Sequence, residues 1–395
     1  QKEAELIHIN YPNIIPKKVL SPREAFYSDK KEVKLKDSIG KVSGEYIIPY
    51  PPGISLTSPG EIITQEVVDY IYESVKKVLS SANITYVKWD MNRIFSDYYS
   101  KYLKAQGRPQ GETAHRYVMA LGRIMRTLTE RFPHILFEGC AAGGNRFDLG
   151  ILCYFPQIWA SDNTDAVSRT YIQEGLSYGY PMSTVSAHVS ACPNHQTLRV
   201  TPLSTRFNVA AFGICGYECN LVDMSKAERS EIKTQIDIYK KWRHAMQFGC
   251  FYRQRTGNIH QWTVVDEEAG RAVGLIMQEL VRANTQNEEY YAAGLDPEAV
   301  YSFYNRPLKH NVKEFGDLIN TVAPIHIRQG SLLHGMVAKL VTMPGETEKY
   351  ELSGSMLMNC GVRLKQAFAA TGFSEEVRHF PDFASRLYFM EKISD

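Results

Sequence analysis

The chain has 395 residues, of which 44% are hydrophobic and 22% charged, and its formal net charge at pH 7 is +2. That composition describes a globular chain long enough for two or three domains. With no basic block to release counterions, nucleic acid and acidic membrane are excluded as natural partners, and no apolar run approaches the ~20 residues of a membrane helix.

The N-terminal stretch Gln1-Lys2-Glu3-Ala4-Glu5 has neither an initiator methionine nor the apolar core of a signal peptide, so a piece of a longer chain is expected. The seven cysteines are odd in number and form no CxxC pair. Cys215 and Cys219 lack a histidine pair at ligand spacing. The expectation is free thiols in a reducing cytoplasm, without metal or cofactor.

Residues 1–65 are irregular, with Tyr50-Pro51-Pro52-Gly53 and Ser58-Pro59-Gly60 as turn punctuation. Lys30 to Lys36 reads as an exposed strand or a solvated face. From 66 to 255, helix and strand alternate. Glu66 to Ser80 has helical spacing after Thr64 as N-cap. A strand from Ile84 to Trp89 follows, then a helix from His115 to Arg131 that Pro133 ends. His134 to Glu138 is a short strand running into the turn Gly139 to Gly144. After the strand ending near Trp159, Ala166 to Gly175 reads as a helix. Met182 to Ala187 and Ala210 to Tyr217 read as strands, and Ala227 to Phe248 as a long amphipathic helix. Polar residues gathered after successive strands predict an α/β architecture, a partial (β/α)8 TIM barrel. From 256 to 395 the segments become short and alternating: Ile259 to Val264, Ala272 to Met277, Val281 to Ala283, Tyr301 to Tyr304 and Arg386 to Phe389. These predict a small antiparallel β-sandwich.

Two apolar runs end in carboxylates beside tryptophan. One is Ile84 to Val87, followed by Lys88-Trp89-Asp90; the other leads through Ile158-Trp159-Ala160-Ser161 to Asp162 and Asp165. In a parallel α/β fold the ends of strands build the active site. A pair of carboxylates there, against aromatic surface, suits cleavage of a sugar bond.

Four stretches carry a family resemblance: Lys88-Trp89-Asp90-Met91-Asn92-Arg93, Glu138 to Asp148, Ile158 to Ala166 and Ser186 to Gln196. In this order they resemble glycoside hydrolase family 36, the bacterial α-galactosidases, and Pro381 to Tyr388 is similar to that family's C-terminal sandwich. The resemblance implies retaining hydrolysis of terminal α-galactosides such as melibiose or raffinose by a cytoplasmic homo-oligomer. Asp90, ending the fourth barrel strand, is then the nucleophile, and Asp162, ending the sixth, the acid/base. Lys88 shares a strand face with Asp90 and would hold it ionised while bonding a sugar hydroxyl. Cys140, Gly143 and Gly144 match the loop beside the sugar's 2-hydroxyl. Asn92 and Arg146 are orienting contacts, and Trp159 is wall or core.

The chain departs from the family pattern in three places. The family shows Cys-Ser-Gly-Gly-Gly-Gly where Cys140-Ala141-Ala142-Gly143-Gly144-Asn145 stands here, and an acidic residue is common at Asn220. The early barrel strands that grip galactose are missing, so weak activity is expected. In their place, Ser21 to Tyr27, Glu45 to Ile54 and Ser58 to Thr64 are similar to the C-terminal part of the pyridoxal-phosphate-dependent ornithine/lysine/arginine decarboxylases. The cofactor-bearing lysine portion is absent.

Other roles stand beside these. Asp90 alone could be a helix N-cap, and Asp165 is better placed than Asp162 to cap the helix from Ala166. His188 and His195 read as core or rim hydrogen-bonders rather than bases, and Trp242 and Trp262 as packing. His326, Arg328 and His334 read as surface, and the six cysteines other than Cys140 as small core hydrophobes. Two rival functions remain: a catalytically silent chain with an assembly role, and a decarboxylase remnant.

Overall fold

A computed structural model describes residues 15–31, 33, 37–44, 47, 56, 58, 61–64, 66–67, 82–90, 101–266, 270–282, 289–321, 323–365 and 379–393. The chain divides into two units, residues 1–88 with 93–137, and residues 89–92 with 138–395.

In the first unit, α1 (Pro22–Tyr27) begins at a reciprocal cap. Ser21 Oγ accepts from Glu24 N, and the Glu24 carboxylate accepts from Ser21 N. Thr64 Oγ1 accepts from Val67 N at 3.4 Å, as expected of an N-cap, while the helix expected onward to Ser80 lies outside the described residues beyond Val67. Lys30 and Lys31 are exposed and not in a strand. Helices α2 (Lys101–Ala105) and α3 (Glu112–Arg131) follow. The last turn of α3 closes through Phe132 N donating to Leu128 O, and Pro133 has no N–H with which to continue it.

The remaining elements follow in chain order. They are β1 (Tyr86–Asp90), β2 (Leu136–Cys140), α4 (Leu149–Leu152), β3 (Gln157–Trp159), α5 (Ala166–Leu176), β4 (Val185–Ser190), α6 (Leu203–Ala210), β5 (Ile214–Glu218) and α7 (Lys226–Phe248). Strands β1 to β5 lie in chain order in one sheet, and β2 through β5 pair in parallel. This is the expected partial (β/α) barrel.

Several boundaries shift by two or three residues, as where the strand read from His134 to Glu138 is Leu136–Cys140, and two differ in kind. Met182 to Thr184 is a 3₁₀ turn, set off by Pro181, and the strand starts only at Val185. The stretch read as a strand from Ala210 is the end of α6 followed by β5. Thr205, Arg206, Phe207, Asn208, Val209 and Ala210 are all buried, so α6 has no polar face to reveal a helical period.

Helix α7 begins at a second reciprocal cap, Ser225 with Glu228, and buries Ile232, Gln235, Trp242, Ala245 and Met246 along one stripe. It leads into β6 (Cys250–Thr256), β7 (Ile259–Asp266), β8 (Arg271–Gln278), β9 (Glu289–Tyr290), β10 (Val300–Asn305) and β11 (Lys309–Asn311). Then come α8 (Leu332–Leu340), β12 (Thr342–Pro344), β13 (Lys349–Ser353), α9 (Gly354–Asn359), β14 (Val362–Arg363) and β15 (Ser385–Lys392). A six-stranded antiparallel sheet runs β13-β10-β15-β8-β7-β6, beside the two-stranded pairs β11-β12 and β14-β9. Val281 and Arg282 form no strand; Val281 N donates instead to Asp382 Oδ1 at 2.6 Å.

One core joins the helices of the parallel sheet to the antiparallel sheet. Phe207, Phe212, Trp242, Met246, Trp262, Val273, Leu275 and Phe389 pack together, with Trp242 stacked on Phe389 at 4.8 Å. Trp242 and Trp262 are packing residues, as expected. His334 is buried rather than at the surface: it lies in the first turn of α8 with Nδ1 accepting from Gly330 N at 3.2 Å. The cysteines also differ from expectation. Cys140 is buried, whereas Cys153, Cys192, Cys250 and Cys360 are exposed, standing at helix ends, in a loop and at a strand start, where no core forms.

Candidate active site

Strand alternation places alternate side chains on one face of the parallel sheet. The register sets Glu138 opposite Gln157, His188 opposite Gly216 and Ser190 opposite Glu218. Gln157 Nε2 donates to Glu138 at 2.6 Å and to Ser186 Oγ at 2.9 Å, so this face carries a buried polar layer. Two residues on from Glu138 and Gln157 come Cys140 and Trp159, and His188 and then Glu218, opposite Ser190, stand further toward the strand ends. The opposite face, with Ile158, Val185, Ala187 and Val189, is apolar and buried.

Asp90 ends β1 and is exposed, as is Lys88; Val87 and Trp89 between and before them are half-buried. The alternation puts Lys88 and Asp90 on the same side of the strand, while Trp89 packs toward Phe155 at 6.3 Å. Asn92 lies outside the described residues.

The loop after β2 is held by its own side chains. Arg146 donates to Cys140 O, and Asn145 Nδ2 donates to Ala141 O at 2.8 Å and Ala142 O at 3.1 Å. Gly143 has φ +77°, and a Cβ there would stand 2.9 Å from Ser161 Cα; one on Gly144 would stand 2.6 Å from Ala160 O. The two glycines therefore let the β2 loop lie against the backbone that presents Asp162.

Asp162 follows β3 and is exposed, with Oδ1 accepting from Trp159 Nε1 at 2.9 Å. Trp159 is only 3% exposed. Its indole stacks on His188 at 4.3 Å, and the Arg169 guanidinium lies 4.3 Å from the ring centre. His188 Nδ1 is 3.0 Å from Glu218 Oε2. Arg169, from α5, donates to Ser161 O at 3.0 Å and Ser186 O at 3.3 Å. Burial pushes the Arg169 guanidinium down to about 10, against the pull of Glu218, Asp162 and Glu138.

Asp165 is a different kind of aspartate. It is 1% exposed and is the N-cap of α5, accepting from Ser168 N at 3.1 Å and Ser168 Oγ at 2.9 Å, and it pairs with Arg199. His188 is a rim hydrogen-bonder, as expected, and His195 is exposed. The sequence reading gave no role to Arg169 or Glu218. Both are brought to the site by strand register and helix packing, which no linear motif encodes. No group of three or more metal-ligating side chains occurs among the described residues.

Residues 60–249 match the family model "Melibiase", and residues 259–390 match "Glycosyl hydrolase family 36 C-terminal domain". Residues 5–78 match "Orn/Lys/Arg decarboxylase, C-terminal domain". The chain is similar to alpha-galactosidase AgaA of Geobacillus stearothermophilus, 47% identical over 240 residues that cover 60% of this chain and 33% of AgaA. It resembles the crystal structure of the alpha-galactosidase from Lactobacillus brevis, with TM-score 0.64 and 34% identity over 84% of this chain and 38% of that one. A substituted AgaA in complex with raffinose is similar as well, with TM-score 0.63 and 35% identity over 85% and 40% of the two chains. The chain spans about a third of the length of the curated relatives it matches.

Proposed function

We propose, for a chain whose residues 60–390 belong to glycoside hydrolase family 36, that it hydrolyses terminal α-D-galactosyl residues of oligosaccharides such as melibiose and raffinose with retention of configuration. The observation that carries this reading is the pair of exposed strand-end aspartates, Asp90 and Asp162, in the same unit and on strands separated by one neighbour. Strands two places apart are ~10 Å between axes, a span that two inward-leaning carboxylates narrow to the ~5 Å of retaining enzymes.

Asp90 attacks the anomeric carbon as its bond to the leaving oxygen breaks, and Asp162 gives its proton to that oxygen. Asp162, now a carboxylate, takes a proton from water. The water oxygen bonds the anomeric carbon, and the ester to Asp90 breaks, restoring both groups. Lys88, on the same strand face as Asp90, bonds a sugar hydroxyl beside it. Cys140, Asn92 and Arg146 shape and orient the sugar side, with Gly143 and Gly144 keeping that loop against the Asp162 backbone.

The supporting relatives are named alpha-galactosidases, and one was solved with raffinose. The domain division belongs to the same reading: a decarboxylase-like segment to residue 65, catalytic barrel to 255 and C-terminal β-domain to 395. So do a cytoplasmic location, which fits seven free cysteines, and homo-oligomeric assembly. Release of nitrophenol from 4-nitrophenyl α-galactoside tests the function. Parent activity that Asp90→Asn reduces by about 10³-fold or more supports it. A folded parent no faster than the variant refutes it.

A further inference from the structure

The indole N–H of Trp159 can only donate, so the Asp162 oxygen it meets, Oδ1, must accept. We infer that Trp159 is a positioning residue that leaves the transferable proton of Asp162 on the other oxygen, and that His188, Glu218 and Arg169 hold the indole in the plane this requires. The inference rests on Asp162 being the acid/base.

The indole has a built seat. Its ring stacks on the His188 imidazole at 4.3 Å with 27° between planes, and the imidazole is anchored by Glu218 at 3.0 Å. Gly216 makes room for that imidazole, because a Cβ there would stand 2.8 Å from His188 Cδ2. Arg169 lies over the indole and ties together the backbones of Ser161, just past the end of β3, and Ser186, near the start of β4. With Trp159 3% exposed, its ring offers little surface to a sugar, while its N–H is spent on the carboxylate. The buried stack is thus built to aim Asp162 rather than to bind substrate. A donor on one carboxylate oxygen orients the group.

Two measurements decide the point, and the first does not depend on turnover. The chain has four tryptophans, so their indole N–H signals are separable in a nitrogen–proton correlation spectrum. The Trp159 signal is expected to move in Asp162→Asn while the other three indole signals hold their positions. An indole signal indifferent to Asp162 overturns the inference whether or not the chain is active. The second compares Trp159→Phe, which keeps the ring and loses the N–H, on two substrates. Raffinose needs the leaving oxygen protonated, and 2,4-dinitrophenyl α-galactoside does not. Turnover should fall about 10- to 100-fold on raffinose and less than ~3-fold on the dinitrophenyl galactoside. Gly216→Ala, which displaces the imidazole, should lose in the same pattern. Equal losses on both substrates, or none on either, contradict a role in aiming the proton. A parent inactive on both sinks the hydrolase reading while the spectrum still decides the contact.

Discussion

Asp165 is buried, caps α5 and receives Arg199, whereas Asp162, three positions earlier, is exposed and bonded by Trp159. Removing the Asp165 carboxylate orphans the Ser168 N–H and takes away the carboxylate that Arg199 pairs with. Asp165→Ala should therefore destabilise the fold by about 2 kcal/mol or more, read from urea unfolding. Asp162→Asn, at an exposed site with its indole bond still possible, should leave the midpoint unmoved while abolishing turnover on raffinose. The opposite pattern would exchange the roles of the two aspartates. The sequence already separated them, because Asp162 directly follows the apolar run and Asp165 directly precedes the helix. It could not show that Gly143 and Gly144 serve the neighbouring loop. That role depends on the approach of Ser161 and Ala160 backbone, a tertiary contact.

At the scale of elements, α5 is latched to the antiparallel sheet by His260. Its Nδ1 is 2.8 Å from Glu174 of α5 and its Nε2 is 2.7 Å from Glu279. Tyr171 and Arg255 also face Glu279, and Trp262 Nε1 donates to Glu174 at 2.8 Å. Burial alone would lower the His260 pKa, but its two carboxylate partners outweigh this and raise it above 6.5. Glu279 is opposed by burial too, yet Tyr171 and His260 carry it below 4.5. A raised histidine stabilises the fold below pH 6.5 and loses that contribution as pH climbs through its folded value. A lowered glutamate stabilises above pH 4.5 and loses its contribution on acidification. The stability gap between parent and His260→Gln should thus be widest between about pH 4.5 and 6.5 and narrow toward about pH 9. Melting temperatures across that range measure it, and a gap independent of pH would remove the ionic latch. None of this was legible beforehand, since the latch joins residues 86 positions apart. Strands β2 and β3, by contrast, announced themselves as apolar runs ending in polar loops. Helix α6 escaped because it is buried all round.

Across the whole molecule, the two glycosidase models match residues 60–249 and 259–390, and the decarboxylase C-terminal model matches residues 5–78, overlapping the first. Sequence pattern sufficed for the architecture because a parallel sheet with a polar inner face and apolar outer face writes its period into each strand. The proposed chemistry rests on residues that are local in sequence: Lys88 and Asp90 on one strand, Asp162 just past the end of another. The seat of Trp159 needed the cross-strand register. The account as a whole stands on the bond formed between Asp90 and a galactosyl group. Incubating the chain with 2-deoxy-2-fluoro-α-galactosyl fluoride, whose ester turns over slowly, and mapping labelled peptides by mass spectrometry tests that bond directly. The account predicts one galactosyl ester, carried by the peptide containing Asp90 and absent from Asp90→Asn. An ester on another carboxylate, or hydrolysis with no covalent adduct at all, would contradict it.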